Sequence, residues 1–89
     1  MALTHQEDPA KRARLRWRAR RGLLENDIII TRFLDAHEVT LTDQEVDAFS
    51  RLMELDDNEL MSLLLARKEP DMELDDAHIR ALLGRMRAA

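Results

Sequence analysis

Glycine and proline are so scarce in this chain that few folds other than a helical one are open to it. Its 89 residues include two glycines and two prolines, and these residue types supply many tight turns. A many-stranded sheet needs many such turns, whereas a few helices do not. The length suits one domain, with a core near the lower limit for independent folding. The sequence therefore predicts a single all-α domain.

Apolar residues recur at helical spacing in several segments, which predicts a compact bundle of about five short helices. The first helix opens at Pro9, where the missing N–H costs nothing. The second is expected over residues 22–36 and is apolar enough to be buried on most sides. The fourth is expected over residues 58–66, and the fifth after Asp75, whose carboxylate can cap it.

The third helix has the clearest start in the sequence. Thr42 is followed three residues later by Glu45, the spacing of a capping box in which each side chain bonds the other residue's backbone N–H. Leu41 and Val46 flank this box at the spacing of a hydrophobic staple. A helix is therefore expected to begin directly after Thr42.

The chain is expected to divide into a disordered lead, residues 1–8, and a helical domain, residues 9–87. The apolar stripe of the first helix is predicted at Leu15, Ala19, Gly22 and Leu23. Trp17 falls beside this stripe, so we expect it to be part-buried.

Charge is divided unevenly along the chain. Residues 1–21 carry a net charge of +5 and residues 22–89 a net charge of −9, within a total of −4. A basic helix containing Trp17 could bind nucleic-acid phosphates and stack on a base. The acidic remainder would repel phosphates, so the pattern favours steering of a protein partner over nucleic-acid binding.

Residue types needed for catalysis are missing or scattered. The chain has no cysteine, and its three histidines, His5, His37 and His78, do not show metal-ligand spacing. No Ser–His–Asp pattern and no glycine-rich phosphate loop is present. These observations predict a protein that is not an enzyme and has no metal site. With no apolar run of about 20 residues and no secretion signal, we expect a cytoplasmic protein that does not enter a membrane.

The strongest candidate site is the junction at which the basic segment meets the apolar one. Its candidate partner-binding residues are Arg20, Arg21, Gly22, Glu25 and Asp27. Gly22 lacks a Cβ, which allows either close approach of another backbone or an unusual dihedral angle. Arg21 and Glu25 are four residues apart and would share one face of a helix. The alternative is a structural joint, with an intrahelical ion pair beside a glycine that connects two helices.

The junction contains the motif RGxxE, at Arg21-Gly22-Leu23-Leu24-Glu25. Its flanks include Trp17 before it and Phe33 after it, and Pro70 follows the expected fourth helix. With these surroundings the chain resembles the succinate dehydrogenase assembly factors called SdhE in bacteria. The resemblance covers roughly residues 12–86. The family's fourth helix usually has an aromatic residue and a tryptophan where this chain has Met61 and Leu63, and a proline is common at Asn58.

The resemblance implies a small, non-enzymatic factor that binds the flavoprotein subunit of succinate dehydrogenase or of fumarate reductase. Such a factor promotes covalent attachment of FAD to a histidine of the partner, so FAD is the partner's cofactor and none is assigned to this chain. It also implies that the junction contacts the partner, and we expect a monomer. Two alternatives remain: a nucleic-acid-binding regulator that uses the basic first helix, and a helical protein that neutralises a toxin.

Overall fold

The computed structural model describes residues 3–20 and 22–88, apart from the side chain of Glu73, and these residues form an all-α fold without strands. The helices are α1 (Pro9–Arg18), α2 (Leu24–His37), α3 (Asp43–Met53), α4 (Asp57–Leu64) and α5 (Ala77–Ala88). One turn of 3-10 helix, Met72–Leu74, lies between α4 and α5. The predictions of the fold class and of about five short helices are confirmed.

The core is built from one face each of α2, α3, α4 and α5. Helix α3 packs on α5, and α2 packs on both α4 and α5. Phe33 of α2 and Phe49 of α3 are fully buried and stack with their ring centroids 6.1 Å apart. Leucines supply much of the remaining volume, among them Leu52, Leu60 and Leu82. Burial of these apolar side chains is the main source of stability in a domain of this size.

The capping box predicted at the start of α3 is present. The Thr42 hydroxyl accepts from the backbone N–H of Glu45 at 3.1 Å, and the Glu45 carboxylate accepts from the backbone N–H of Thr42 at 2.9 Å. The second carboxylate oxygen of Glu45 pairs with Arg85 of α5. One side chain thus fixes the start of α3 and ties α3 to the end of α5.

Helix α4 begins one residue earlier than predicted. Asp56 is its N-cap and accepts from the backbone N–H of Glu59 at 2.8 Å, so the first helical residue is Asp57 and not Asn58. The helix ends at Leu64, two residues before the predicted end, because Ala66 takes a left-handed backbone conformation with φ of 58°. A left-handed residue just after a helix is a common way of ending it.

The cap predicted for the fifth helix falls on the wrong aspartate. Asp76 accepts from the backbone N–H groups of His78 at 2.7 Å and Ile79 at 3.4 Å. Asp75 pairs instead with the Arg80 guanidinium at 2.6 Å. The sequence offers two adjacent acids, and only the position of the first helical turn selects the one that caps it.

The stripe predicted for α1 is correct only as far as Ala19. Leu15 and Ala19 are buried, at 2% and 1% exposure. Gly22 is exposed and Leu23 is half-buried, because α1 ends at Arg18 and the helical spacing ends with it. Leu15 is therefore the one buried side chain that α1 itself contributes.

Helix α2 is less buried than its composition suggested. It begins at Leu24 instead of near Gly22. Its packed face includes Ile30 and Phe33, whereas Leu24 and Ile28 are 67% and 41% exposed. The prediction of burial on most sides is wrong, because α4 and α5 cover one face of α2 and leave the opposite face uncovered.

The described part of the N-terminal segment, residues 3–8, contacts the helical body, where a disordered lead over residues 1–8 was expected. His5 is 2% exposed, and its backbone N–H donates to the Asp43 carboxylate at 2.9 Å. The His5 ring Nε2 lies 2.6 Å from the carbonyl oxygen of Glu38. Hydrogen bonds to the connection between α2 and α3 and to the first residue of α3 help to hold this segment, and a polar segment held in this way is easily mistaken for a disordered one.

The residues of α4 that differ from the usual family pattern differ in how far they are buried. Leu63 is fully buried in the core, Met61 is half-buried, and Asn58 is exposed.

In the part of the chain that the structure describes, no helix is both long and apolar enough to span a bilayer.

Candidate functional site

The predicted junction lies at one edge of the domain, where α1 gives way to α2. Gly22 and Glu25 are exposed, Arg20 is exposed, and Asp27 is half-buried. Arg21 is also a predicted site residue, but it lies outside the described residues. The structure therefore brings four of the five predicted residues to the same edge of the molecule.

Gly22 is not required by the backbone or by internal packing. Its φ is not positive, so the unusual dihedral angle considered above is not adopted. A Cβ added at this position would lie 3.4 Å from an oxygen of the Asp57 carboxylate, at the short end of ordinary van der Waals contact. An unusual dihedral angle is therefore not the reason for the glycine at this position.

The proposed helical pairing of Arg21 with Glu25 loses its basis. Glu25 is the second residue of α2, and neither Gly22 nor Leu23 is helical. The rule that residues four apart share a face applies only within a continuous helix. The alternative interpretation was an intrahelical ion pair beside a glycine that joins two helices. That interpretation is not supported, because Gly22 and Leu23 do not belong to a helix.

The two acids of the junction lie in the first turn of α2. The N-cap residue Leu23 supplies no side-chain hydrogen bond to this turn. Glu25 and Asp27 compensate in part, since carboxylates are favourable near the positive end of a helix dipole. Neither acid has an ion-pair partner among the described residues; Glu25 is exposed, whereas Asp27 is half-buried.

Asn26 is a structural residue of the junction that the sequence analysis missed. Its side chain is fully buried, and its Nδ2 donates to the backbone carbonyl of Asp57 at 2.8 Å. Its Oδ1 has no hydrogen-bond partner among the described residues. The bond fixes the start of α2 against the start of α4. Asn26 lies four residues before Ile30 and seven before Phe33. This helical spacing is the sequence signal that could have placed Asn26 on the core-facing side of α2.

An open groove of about 400 Å³ lies between α1 and α2. It is lined by Ala13, Arg16, Trp17, Ala19, Arg20, Asp27, Ile30, Thr31 and Leu34. We call this feature the α1–α2 groove. It places the predicted residues Arg20 and Asp27 on one concave surface, together with residues that the sequence analysis did not assign to the site.

Trp17 stands out from this groove instead of packing beside α1. It is 71% exposed, so the expectation that it would be part-buried is wrong. The Arg20 guanidinium lies 5.6 Å from the centre of its ring, within the range of a cation–π interaction. Helix α1 ends one residue after Trp17, and the ring is left largely uncovered by the described part of the chain.

The two arginines that border the groove differ in their bonding. The Arg16 guanidinium pairs with the carboxylates of Glu38 at 2.7 Å and Asp35 at 3.0 Å. The hydrogen bond that Arg16 donates to the Glu38 carboxylate raises the pKa of Arg16 above its ordinary value. Arg20 contacts Trp17 and has no ion-pair partner within residues 3–20 and 22–88. Arg16 therefore holds α1 to α2, whereas Arg20 is available to a ligand.

Nothing in the described ranges resembles a metal centre: they contain no group of three or more His, Asp or Glu side chains placed to hold an ion. The acids at the junction are held in a helical first turn and are not paired with a base. The arrangement offers exposed charge, an exposed aromatic ring and an unobstructed backbone, which are properties of a protein-binding surface.

Comparison with known proteins gives one consistent result. Residues 13–88 match the Sdh5 family, described as the flavinator of succinate dehydrogenase. The chain is 59% identical over 85 residues to the FAD assembly factor SdhE of Ralstonia nicotianae, which covers 96% of this chain and 90% of that protein. It is 34% identical over 67 residues to the Legionella pneumophila protein of the same name, covering 75% and 85% of the two chains. Since the match spans nearly all of the helical domain, this chain belongs to the Sdh5 family of succinate dehydrogenase flavinators.

Proposed function

We propose that this chain is an FAD assembly factor that binds the flavoprotein subunit of succinate dehydrogenase and promotes covalent attachment of FAD to it. The observation that carries the proposal is the family match over residues 13–88, with relatives named FAD assembly factor SdhE. The RGxxE motif lies within the matched region, and its described residues lie at the exposed edge of the domain.

The junction supplies the contact surface in this proposal. Gly22 is exposed and neither strained nor crowded, so the advantage of a glycine there is that a partner's backbone can approach closely. Arg20, Arg21, Glu25 and Asp27 supply the charged contacts. Charges arranged in this way fix the orientation of a complex more than they raise its affinity.

The factor acts by positioning and not by chemistry of its own. The reacting groups, FAD and the acceptor histidine, belong to the flavoprotein. A protein that holds the partner's domains in the reactive arrangement lowers the entropic part of the barrier to attachment. No side chain of this factor then has to accept or donate a proton, and we infer that it is not an enzyme.

The proposal extends to a cytoplasmic monomer that could also serve the flavoprotein subunit of fumarate reductase. The comparisons give no support to a nucleic-acid-binding regulator or to a protein that neutralises a toxin. The structure also weakens the nucleic-acid hypothesis, since Arg16 is already paired with Asp35 and Glu38. Those two acids interrupt the basic surface that a phosphate backbone would follow.

Co-expression with a succinate dehydrogenase flavoprotein subunit tests this function, with covalent flavin measured as in-gel fluorescence. We expect Gly22→Arg to reduce covalent flavin at least about tenfold, since a bulky side chain blocks the close approach. Glu25→Ala is expected to reduce it less, because only one charged contact is lost.

Gly84 offers a matched control, because a Cβ there would meet nothing within 4 Å and the residue is exposed on α5. Gly84→Arg is expected to leave flavin attachment unchanged. Wild-type fluorescence with both Gly22→Arg and Glu25→Ala would contradict the role given to the junction.

A further inference from the structure

We propose that the α1–α2 groove receives an apolar side chain of the flavoprotein partner, next to a partner carboxylate that pairs with Arg20. The inference rests on the proposed function and extends its contact surface from the RGxxE motif to α1. It predicts that recognition uses an anchor residue in addition to the charged contacts of the junction.

The groove has the shape and chemistry to hold one large apolar side chain. Its volume of about 400 Å³ lies near the lower end of the roughly 300–1,000 Å³ typical of ligand pockets. Ala13 and Ala19 on the α1 side are small, which leaves the space open, and Ile30 and Leu34 form an apolar floor. Placing an apolar side chain there removes that side chain's own surface from water, and Ile30 and Leu34, which are 2% and 1% exposed, give it an apolar wall to pack on.

Trp17 is the main reason to expect an occupant at this place. An indole that is 71% exposed leaves a large apolar surface in contact with water, and the helices of this domain do not cover it. Tryptophan and arginine are the residue types most enriched among the energetically dominant positions of protein interfaces. Trp17 and Arg20 are in contact here, at 5.6 Å, and together they border an empty groove.

The charges around the groove indicate which groups of the partner lie next to the bound apolar side chain. Arg20 has no carboxylate partner among the described residues, and its contact with Trp17 holds the guanidinium in place before binding, so a partner Asp or Glu can pair with it at reduced entropic cost. Asp27, across the groove on α2, is an acceptor for a donor group of the same segment. Asp27, Asp35 and Glu38 would repel a polyphosphate, so the charges fit a protein segment and not a nucleic acid.

Filling the groove tests the proposal. In Ala13→Phe the new ring occupies the groove from the α1 side, and we expect the affinity for a purified flavoprotein subunit, measured by isothermal titration calorimetry, to fall at least about tenfold. Thr31→Phe blocks the groove from the exposed side of α2 and is expected to have a similar effect. Ala81→Phe is the matched control, an exposed alanine in the middle of α5, and should bind within about twofold of the wild type.

Circular dichroism melting of each variant verifies that the fold is kept, and Thr31→Phe decides the question if Ala13→Phe does not fold. Wild-type affinity in a folded groove-filling variant overturns the proposal. Gly22→Arg, measured in parallel, separates the two claims. If it loses binding while the groove-filling variants retain it, the groove proposal fails and the role of the junction stands. If Gly22→Arg also binds and supports flavin attachment normally, the groove proposal and the role given to the junction both fail.

Discussion

The edge of the domain formed by α1 and the first turn of α2 differs from the body formed by α3, α4 and α5 in how charge is used. In the body, basic side chains are paired with acids: Lys68 with Glu59, Arg80 with Asp75, Arg85 with Glu45, and Arg87 with Glu69. At the edge, Arg14, Arg18, Arg20, Glu25 and Asp27 have no ion-pair partner within the described ranges. Most basic side chains of the body are thus neutralised by ion pairs within the chain, whereas the edge carries charges without such partners among the described residues.

The packed helix faces of the body and the edge also differ in how apolar residues are buried, although Met72, in the 3-10 turn between α4 and α5, is 89% exposed. The body buries Phe49, Leu52 and Leu82 almost completely, whereas the edge leaves Trp17 and Leu24 about two-thirds or more exposed. A folding domain gains nothing from the exposure of an indole, because burial of apolar surface is the main favourable term in folding. The difference indicates that the buried side chains of the body maintain the fold, and it is consistent with the proposal that the edge contacts a partner.

The largest effect on stability is expected in the body. Phe49→Ala removes a fully buried ring that stacks on Phe33, and changes of this kind typically cost about 3–5 kcal/mol. Since small domains are stable by roughly 5–15 kcal/mol in total, we expect a much lower midpoint in urea denaturation followed by circular dichroism. A loss below about 1 kcal/mol would show that this ring is not central to the core.

An intermediate loss of stability is expected for a substitution at the start of α3, and a smaller loss for a substitution of Trp17 at the edge. Thr42→Ala removes half of the capping box and is expected to lower the free energy of unfolding by about 1 kcal/mol. Trp17→Ala removes far more side-chain volume, but the ring is mostly exposed, so we expect a change within about 0.5 kcal/mol. If Trp17→Ala proved the more destabilising of the two, the division between edge and body would be wrong.

The smallest effect is expected at the cap of α5 and depends on pH. Hydrogen bonds from the backbone, first that of His78, lower the pKa of Asp76 below its ordinary value, and Arg51 adds to this. A carboxyl whose pKa is lower in the folded state contributes stability above its unfolded pKa of about 3.9, and the contribution is lost as the pH falls through the folded value. We expect Asp76→Asn to be slightly less stable than the wild type at pH 7, with the difference shrinking as the pH falls below about 3.9.

Urea denaturation of both proteins across this pH range measures the effect. A difference between them that grew toward acid pH would have the opposite sign and would contradict the lowered pKa of Asp76. Asp75→Asn is a useful comparison, since Asp75 pairs with Arg80 and makes no cap.

Much of the fold was predictable because its signals are local. The capping box at Thr42 and Glu45 needs only four consecutive residues, and the scarcity of glycine and proline excludes most sheets. The location of the junction in the sequence was also predictable, since the charge reversal, the glycine and the RGxxE motif all fall within residues 20–27. Helix ends were predicted less well: Asp75 and Asp76 are chemically equivalent candidates for a cap, and local sequence does not separate them.

The sequence by itself determined that this chain is helical, where its third helix begins and to which family it belongs, because these depend on residue types and on spacings within a few turns. Only the tertiary structure decided that Trp17 is exposed, that Asn26 is buried against Asp57, and that α1 and α2 leave a groove between them. The physical reason is that an amphipathic pattern states which side chains can be buried, but the packing of distant helices decides which of them are covered. That packing gave α1 one buried side chain, and it left the edge open for binding.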